Sequence, residues 1–313
     1  MANTKDSAGN VFSRERIQAA ADGIRRRVLE HTIASNGGYL SQACSSAEIL
    51  ASLYLSVINL GPSAGPPVPP PFPGVPGGAR GRGLSGGAYN GAPDPDRDRF
   101  LLSPAHYALV LYAALIETGR MAAEGLSQFN ADGSTVEMIG AEHSPGFEMM
   151  GGSLAQTLSQ AGGIALARRM KGEKGRTWVF LSDGEFQEGQ TWEALQSLFH
   201  YHLDTIGVYV DVNGQQCDGK TCAVMNLEPL ESRITAFGGR VVKADGHDID
   251  ALARAGAYVP DGRPLFALCY TDPCRGVPIL AERAPKLHYL RFASPEERER
   301  YREFLKSGFG KGV

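Results

Sequence analysis

The sequence predicts an α/β domain with a mostly parallel sheet and helices on both of its faces. The apolar runs Thr177–Ser182 and Ile206–Val212 do not alternate with polar residues, which is typical of strands buried on both sides. Helix-like segments separate these runs, as parallel crossovers require. The length of 313 residues fits one large α/β domain as well as two small ones, and we expect a single domain.

The elements can be placed along the chain. The first helix is expected to begin after Ser13, whose hydroxyl can cap it, and to end near Asn36 before two glycines. Further helices are expected over 46–57, 104–118, 153–170 and 190–202, with Trp192, Leu195 and Phe199 of the last facing inward, and strands over 177–182, 206–212, 241–244 and 265–270. The domain is expected to span 13–290, between a flexible N-terminus at 1–12 and a C-terminal helical tail at 291–313.

Residues 61–98 differ from the rest of the chain in composition. They hold ten of the 19 prolines and ten of the 39 glycines. Such a segment cannot pack a core and lacks backbone donors. We therefore expect an exposed, mobile Pro/Gly-rich loop inside the domain.

Charge and composition exclude several classes of function. The 31 basic and 34 acidic residues give a formal net charge of -3, without the basic excess of a general nucleic-acid binder. No run of 18 apolar residues is present, and the polar N-terminus lacks the apolar stretch of a signal peptide. The five cysteines form no C-x-x-C pair, so no zinc ribbon or disulfide framework is expected. These features predict a cytoplasmic protein that binds neither nucleic acid nor membranes.

Two polar residues follow neighbouring predicted strands. Asp183 comes directly after the strand that ends at Ser182, and Asn213 follows the strand that ends at Val212. Because parallel strands end at the same edge of a sheet, where α/β proteins bind ligands, both side chains are expected at that edge. Two oxygen ligands suit Mg²⁺, which takes its other ligands from phosphates and water. Either residue could instead cap a helix or a turn, and the pair alone leaves both interpretations open.

A glycine-rich segment opens the helix expected from residue 153. Residues 151–154 have the sequence G-G-S-L, and such an entry exposes N–H groups at the positive end of the helix dipole. That arrangement favours an anion. A diphosphate bridged to Mg²⁺ would use both this segment and the oxygens of Asp183 and Asn213.

The region from this segment to residue 219 resembles the thiamine-diphosphate-binding half of transketolases. The family's motif is G-D-G followed by a more distant asparagine, matched here by S-D-G at 182–184 and by Asn213. The extension E-G-x-x-W-E-A at 188–194 makes the match specific. Further matches are D-R-F-L-L-S at 98–103 with His106, H-S-P-G-F-E at 143–148, F-G-G at 237–239 and D-G-H-D at 245–248. The resemblance covers residues 13–290 apart from the Pro/Gly-rich loop.

The resemblance implies how the cofactor is held. The side chains of Asp183 and Asn213 would bind the divalent ion, Mg²⁺ or alternatively Ca²⁺ or Mn²⁺, together with the backbone carbonyl of Gln215. The set implied to bind thiamine diphosphate is Gly152, Ser153, Leu154, Gly184, Glu185, Asp211 and His288. Within it, Gly152 and Leu154 would lie against the ring system of the cofactor.

The resemblance also implies a catalytic set of His106, His143, Tyr39 and Glu188. The two histidines would face the reacting carbon, and Glu188 would reach across a subunit contact toward the partner's cofactor-activating glutamate. The early S-G-H of the family is missing, and its histidine position falls on Tyr39. A phenol can donate a hydrogen bond but is a far poorer base than imidazole near neutral pH. Each histidine, His288 included, could instead be a packed or surface residue.

The resemblance finally implies an assembly and a reaction. A complete transketolase carries a second α/β domain, and this chain ends at Val313, where the first domain of the family ends. We therefore expect a split enzyme, in which this N-terminal subunit and a separate C-terminal subunit form an α2β2 tetramer. It would transfer a two-carbon ketol unit from a ketose to an aldehyde. Two alternatives stay open: a subunit of another thiamine-diphosphate carboligase or 2-oxoacid decarboxylase/dehydrogenase, and a non-catalytic protein that kept the fold.

Overall fold

The computed structural model describes residues 13–72, 74 and 85–308. The segment 1–12, for which a flexible terminus is predicted, lies outside the described residues, as do 73, 75–84 and 309–313. Among the described residues, no helix combines the length and the apolar character that crossing a membrane requires.

A parallel sheet forms the centre of the described structure. In chain order the strands are β1 (Arg99–Leu102), β2 (Thr177–Ser182), β3 (Ile206–Val212), β4 (Gln215–Gln216), β5 (Gly219–Lys220), β6 (Arg240–Asp245) and β7 (Leu265–Tyr270). The sheet has the order β1-β2-β3-β7-β6, and each neighbouring pair in it is parallel. The short strands β4 and β5 form a separate antiparallel hairpin. The predicted α/β class with a mostly parallel sheet is therefore confirmed.

Helices cover both faces of the sheet. In chain order they are α1 (Arg14–Ser35), α2 (Leu40–Ser52), α3 (Ala108–Glu117), α4 (Gln156–Met170), α5 (Gly189–His200), α6 (Thr221–Val224), α7 (Leu230–Ala236), α8 (Ile249–Gly256) and α9 (Pro295–Gly308). Ser13 caps α1 as predicted, because its hydroxyl accepts a hydrogen bond from the Arg16 amide at 3.3 Å. Helix α2 begins earlier than predicted and continues into a π-helical turn at Leu53–Val57.

The strands are buried on both faces because alternate side chains enter two different apolar clusters. In β2, Trp178 and Phe180 belong to the cluster that contains residues of α1, α2, α3 and α8. Val179 and Leu181 belong to the cluster on the other face, with residues of α4, α5 and α7. This two-sided burial explains why the strands read as continuous apolar runs.

The inward face of α5 differs from the prediction at one position. Leu195 is buried and Trp192 is half-buried, as predicted. Phe199 is 43% exposed, and its ring lies against Gly238. The prediction for Phe199 is wrong because Leu198, which is buried, fills the inward position at this end of the helix.

The Pro/Gly-rich loop is exposed only in part. In its described residues, Gly86–Asn90 forms a 3₁₀ turn, and Tyr89 and Asn90 are buried there. The Tyr54 hydroxyl donates a hydrogen bond to Asn90 Oδ1 at 2.9 Å. The expectation of an exposed loop is therefore wrong for this turn, because one aromatic ring and one amide supply the packing and hydrogen bonds that prolines and glycines lack.

Candidate functional site

Asp183 lies at the carboxyl edge of the sheet, beside the turn that follows β3. The strands β2 and β3 pair in parallel, so their ends meet at this edge. The buried Asp183 carboxylate accepts hydrogen bonds from Gly184 N at 2.9 Å, and from Gly214 N and Thr221 Oγ1 at 3.1 Å each. Asp183 therefore contacts the residue that directly follows Asn213.

The environment of Asp183 favours a cation. Burial, with a smaller contribution from the charge of Asp211, raises the pKa of Asp183 to about 7, although its three hydrogen bonds act in the opposite direction. A carboxylate that is costly to ionise on its own is stabilised by a bound positive charge. The electrostatics of this position thus suit a metal ligand.

A buried hydrogen-bond network orients the Asn213 amide. Its Nδ2 donates to Asp211 Oδ2 and to Tyr107 Oη, each at 3.1 Å. The hydroxyls of Tyr107, Ser45 and Thr271 donate to the same carboxylate, at 2.8, 2.5 and 2.5 Å. Because the Asn213 amide nitrogen faces Asp211, its amide oxygen faces away from that carboxylate. The oxygen accepts a hydrogen bond from the backbone N–H two residues later at 2.9 Å.

A cleft of about 180 Å³ opens beside these strand ends. It is lined by Gln42, His106, Tyr107, Leu154, Ser182, Gly184, Gln187, Glu188, Asn213, Gln215, Gln216, Cys217 and His288. Seven predicted site residues are among them: His106, Leu154, Gly184, Glu188, Asn213, Gln215 and His288. The fold therefore brings together one wall that carries candidate metal ligands and another that carries two histidines.

The oxygen donors at the cleft fit a divalent ion. Gln215 Oε1 is buried without a hydrogen-bond partner, and both Asn213 and Gln215 line the cleft. One carboxylate with amide and carbonyl oxygens suits Mg²⁺, which completes its octahedron with phosphates and water. In the described part of the chain, no group of three or more His, Cys, Asp or Glu side chains could hold a metal. An ion bound by Asp183 would therefore take its other ligands from amide and carbonyl oxygens, phosphates and water.

The glycine-rich segment lies against the end of β1. A Cβ on Gly151 would lie 2.4 Å from Ser103 O, so only glycine fits at this position. Helix α4 begins at Gln156, after Ala155 in the left-handed conformation with φ of 67°. Ala155 N donates to Glu185 Oε1 at 3.0 Å, which fixes the end of the segment.

The predicted cofactor-binding residues of this segment face outward. Gly152 and Ser153 are exposed, and Leu154 lines the cleft. The N-terminus of α4 begins two residues later, so its free N–H groups lie at the same edge as Asp183. An anion at this edge would be stabilised by the helix dipole.

We expect Gly151→Ala to lower the free energy of unfolding by about 2 kcal/mol, because the added methyl group overpacks against backbone that cannot move aside. Urea-induced unfolding measures this effect. Gly163→Ala in the exposed part of α4 is the matched control, since a Cβ there meets nothing within 4 Å. The control should gain roughly 0.5–1 kcal/mol. A Gly151→Ala protein as stable as the control would contradict the packing described here.

Two predicted cofactor-binding carboxylates are fully buried and do not line the cleft. Asp211 lies behind Asn213, with its oxygens engaged by protein donors. Glu185 accepts hydrogen bonds from Ala155 N and Ser182 N at 3.0 Å each and from the Ser103 hydroxyl. Glu185 therefore ties the glycine-rich segment to the ends of β1 and β2, and Asp211 acts on the cleft through Asn213.

Three aromatic residues form the other wall of the site. The ring centroid of Tyr39 lies 5.6 Å from that of His106 and 5.5 Å from that of His288. The centroids of the two imidazole rings lie 4.8 Å apart. Two backbone hydrogen bonds between Gly38 and Leu290, at 3.0 and 2.9 Å, hold the two chain segments together. This bridge explains how His288, which is far from Tyr39 and His106 in the sequence, reaches both of them.

All three side chains of this wall are neutral at pH 7. Burial, with a smaller effect of His288, lowers the pKa of His106 to about 3, and burial also lowers the pKa of His288. Burial and the neighbouring Tyr289 raise the pKa of Tyr39. The wall can therefore exchange hydrogen bonds with carbonyl or hydroxyl groups without contributing positive charge.

The two remaining predicted catalytic residues lie in different places. Glu188 is exposed on the rim of the cleft, directly before α5. His143 does not line the cleft: its Nε2 lies 3.0 Å from Glu137 Oε2, and its ring centroid lies 4.7 Å from that of Phe72. A role of His143 beside the reacting carbon stays a prediction.

Several residues of the site were not found by sequence reasoning. Gln42 and Ser45 both come from α2, and Gln42 Nε2 donates to the His288 carbonyl at 3.1 Å while Ser45 binds Asp211. Gln187 and Tyr107 also line the cleft. One signal was present: Gln42, Ser45 and Glu48 are spaced three apart along α2, which places them on one side of the helix, and buried polar groups require partners.

Comparisons with known proteins place the chain in a family. Residues 90–285 match the family described as "Transketolase, thiamine diphosphate binding domain". The transketolase family protein y4mO of Sinorhizobium fredii is 38% identical over 281 residues, which cover 88% of this chain and 89% of that protein. The 6-deoxy-6-sulfo-D-fructose transketolase subunit SqwG of a Clostridium species is 32% identical, over 83% of this chain and 86% of that protein.

A solved structure shares the fold. The crystal structure of transketolase from Campylobacter jejuni superimposes with a TM-score of 0.74 at 20% identity and covers 96% of this chain. The match spans 44% of that transketolase chain. Fold, cleft and family match together define a transketolase-like, thiamine-diphosphate-binding α/β domain. The chain belongs to the transketolase family.

Proposed function

We propose that this chain is the diphosphate-side subunit of a two-component transketolase, which transfers a two-carbon ketol unit from a ketose donor to an aldehyde acceptor. The observation that carries the proposal is the contact of Asp183 with the turn after Asn213, beside the exposed residues 152–154. Carboxylate and amide oxygens at one side and a helix N-terminus at the other suit an ion-bridged diphosphate.

The metal ligands in this proposal are the side chains of Asp183 and Asn213 and the backbone carbonyl of Gln215. They would hold Mg²⁺, for which Ca²⁺ or Mn²⁺ could substitute. Gly152 and Leu154 would contact the cofactor, whose diphosphate would supply further oxygen ligands to the ion. When bound, thiamine diphosphate supplies a nucleophilic carbon and an electron sink for the carbon–carbon bond that is broken.

The aromatic wall would orient the substrate. Tyr39, His106 and His288 are neutral, and the two histidines line the same cleft as Asn213 and Gln215, so this group could hydrogen-bond the donor carbonyl and its neighbouring hydroxyl groups. Tyr39 takes the position of a family histidine and is a poor base near neutral pH. We therefore assign Tyr39 a hydrogen-bonding role and not the removal of a proton.

A separate subunit would complete the site. The relative SqwG is named as a transketolase subunit, and the match extends over 86% of its length. We propose that this chain likewise works in the cytoplasm with a C-terminal, pyrimidine-side subunit, as an α2β2 assembly. Glu188, exposed on the rim of the cleft, is the residue that would reach toward that subunit.

Reconstitution with the candidate partner subunit tests the proposal. With thiamine diphosphate and Mg²⁺ present, ketol transfer from a ketose phosphate to an aldehyde should appear in the mixture and in neither subunit alone. Transfer by this chain alone would contradict the two-component assembly. Conversion of pyruvate in place of a ketose would support the 2-oxoacid alternative instead. Absence of cofactor binding under all conditions would support a non-catalytic protein.

A further inference from the structure

His247 connects two parts of the fold that carry residues of the site. Its Nε2 accepts a hydrogen bond from Asp272 N at 2.8 Å, and its Nδ1 lies 3.0 Å from Glu48 Oε2. Because a backbone N–H can only donate, Nε2 carries no proton, and Nδ1–H donates to the carboxylate. One imidazole in one tautomer thus joins the loop after β7 to α2.

The carboxylate that receives His247 is a fixed acceptor. Glu48 is buried and forms an ion pair with Arg25, whose guanidinium also donates to Cys44 O at 3.0 Å. Burial opposes the charge of Glu48, but hydrogen bonds from His247 and Arg25 outweigh it and lower the pKa of Glu48 to about 2. Glu48 is therefore ionised at neutral pH, and its hydrogen bond with His247 is charge-assisted.

The turn before His247 packs on the same loop. Gly246 N donates to Tyr270 O at 2.9 Å, and a Cβ on Gly246 would lie 2.3 Å from Thr271 Cγ2. Gly246 and His247 therefore contact three successive residues: the last residue of β7 and the first two residues of the loop, ending at Asp272. Thr271, in the middle of the three, has little freedom to move.

Thr271 is one of the three hydroxyl donors to Asp211, and Thr271 and Ser45 are the two that lie on the elements joined by His247. Thr271 Oγ1 donates to Oδ1 and Ser45 Oγ donates to Oδ2, each at 2.5 Å. Ser45 lies on α2, one turn before the glutamate that binds His247, and Thr271 directly precedes the other partner of His247. The connection that His247 makes thus links the two elements that carry these donors.

We propose that His247 is a positioning residue for the metal site. By joining α2 to the loop after β7, it keeps Asp211 between the hydroxyls of Ser45 and Thr271, and Asp211 in turn keeps the Asn213 amide oxygen directed away from the carboxylate, where it would bind the ion. This inference rests on the proposed binding of Mg²⁺ and thiamine diphosphate. Residues that orient metal ligands from behind affect metal affinity without touching the ion.

Two conservative variants separate the two hydrogen bonds of the ring. His247→Gln keeps an acceptor near Asp272 N and loses the donor to Glu48, whereas His247→Asn keeps a donor and loses the acceptor. In the complex with the partner subunit, both should bind thiamine diphosphate with Mg²⁺ about tenfold more weakly in calorimetric titrations. The control His200→Asn, at an exposed position of α5, should bind as the wild type does. Unchanged affinity in both His247 variants would overturn the proposal.

A double-mutant cycle tests the route through Thr271. Thr271→Val removes the hydroxyl that reaches Asp211 while keeping the shape of the side chain. If His247 acts by placing this hydroxyl, adding His247→Gln to Thr271→Val should weaken cofactor binding little further, because both changes remove the same interaction. Additive losses would overturn this role of His247, since they would mean independent effects.

Measurements without cofactor separate this inference from the proposed function. In nitrogen NMR spectra of the free chain, His247 should carry its proton on Nδ1, and the Asp272 amide should exchange with solvent about tenfold more slowly than in His247→Asn. An Nε2–H tautomer, or an Asp272 amide that exchanges equally fast in both proteins, would overturn the role of His247 alone. A wild-type complex that binds no thiamine diphosphate would instead contradict the proposed function.

Discussion

Asp183→Asn will weaken the binding of thiamine diphosphate with Mg²⁺ by at least about 100-fold, more than any other single change considered. Loss of a residue that only hydrogen-bonds a metal ligand costs up to about 100-fold in affinity, and the loss of a charged ligand should cost at least as much. Asp183 is the charged member of the proposed ligand set, next to the neutral oxygens of Asn213 and Gln215. An asparagine keeps the shape of the side chain but removes the charge that attracts the ion. Calorimetric titration of the complex measures the loss.

The same carboxylate makes binding depend on pH. Since the pKa of Asp183 is raised to about 7 in the ion-free protein, a proton competes with the ion below that value. The affinity of the wild type should therefore fall by about tenfold for each pH unit below 7 and level off above it. Asp183→Asn should lack this dependence. A flat affinity profile between pH 5 and 8 in the wild type would contradict the role of Asp183.

The stability of the ion-free protein should change in the opposite direction. A carboxyl group whose pKa is raised on folding binds its proton more tightly in the native state, so stability is lost as the pH rises from near the unfolded value of 3.8 through about 7. Asparagine cannot ionise, so the stability of Asp183→Asn should not fall over this pH range. In urea unfolding with EDTA at pH 8, the variant should therefore be at least as stable as the wild type. Asp132→Asn, at an exposed position, is the matched control for both measurements.

Glu185→Ala will lower the free energy of unfolding by about 3 kcal/mol or more, because it leaves buried donors without an acceptor. The carboxylate accepts from Ala155 N, Ser182 N and the Ser103 hydroxyl, and the side chain is fully buried. The loss also releases the glycine-rich segment from the strand ends, so cofactor affinity should fall with stability. Urea unfolding and calorimetric titration measure the two effects.

Two further variants test this explanation for Glu185. Glu188→Ala, three residues later and exposed, should leave the stability unchanged, since no buried donor depends on it. Glu185→Gln keeps one oxygen and the shape of the side chain, so its loss should be smaller than that of alanine. A Glu185→Ala protein that unfolds at the same urea concentration as the wild type would show that these donors find other partners.

The sheet and the placement of Asp183 and Asn213 at its edge follow from local patterns. The strands at 177–182, 206–212 and 265–270 have the predicted bounds, because continuous apolar runs between helical segments are typical of strands covered on both faces. Parallel pairing then requires Asp183 and Asn213 to share an edge. These features depend on residues near one another in the sequence, and they could be predicted.

The partners of the site could not be predicted in this way. Ser45 reaches Asp211 across 166 residues, and Gln42 reaches His288 across 246. The role of Glu185 was expected to be contact with the cofactor, whereas the fold buries it under the glycine-rich segment. Periodicity and motif spacing carry no information on contacts at such separations.

The sequence by itself determined that this chain is an α/β protein whose strand ends present an acid and an amide beside a glycine-rich helix entry. Only the tertiary structure decided that Tyr39, His106 and His288 form one wall, and that Asp211 holds Asn213 from behind. The physical reason is that secondary structure follows from local burial and backbone preference, whereas a side chain's orientation and pKa depend on which distant groups exclude water from it and bind it.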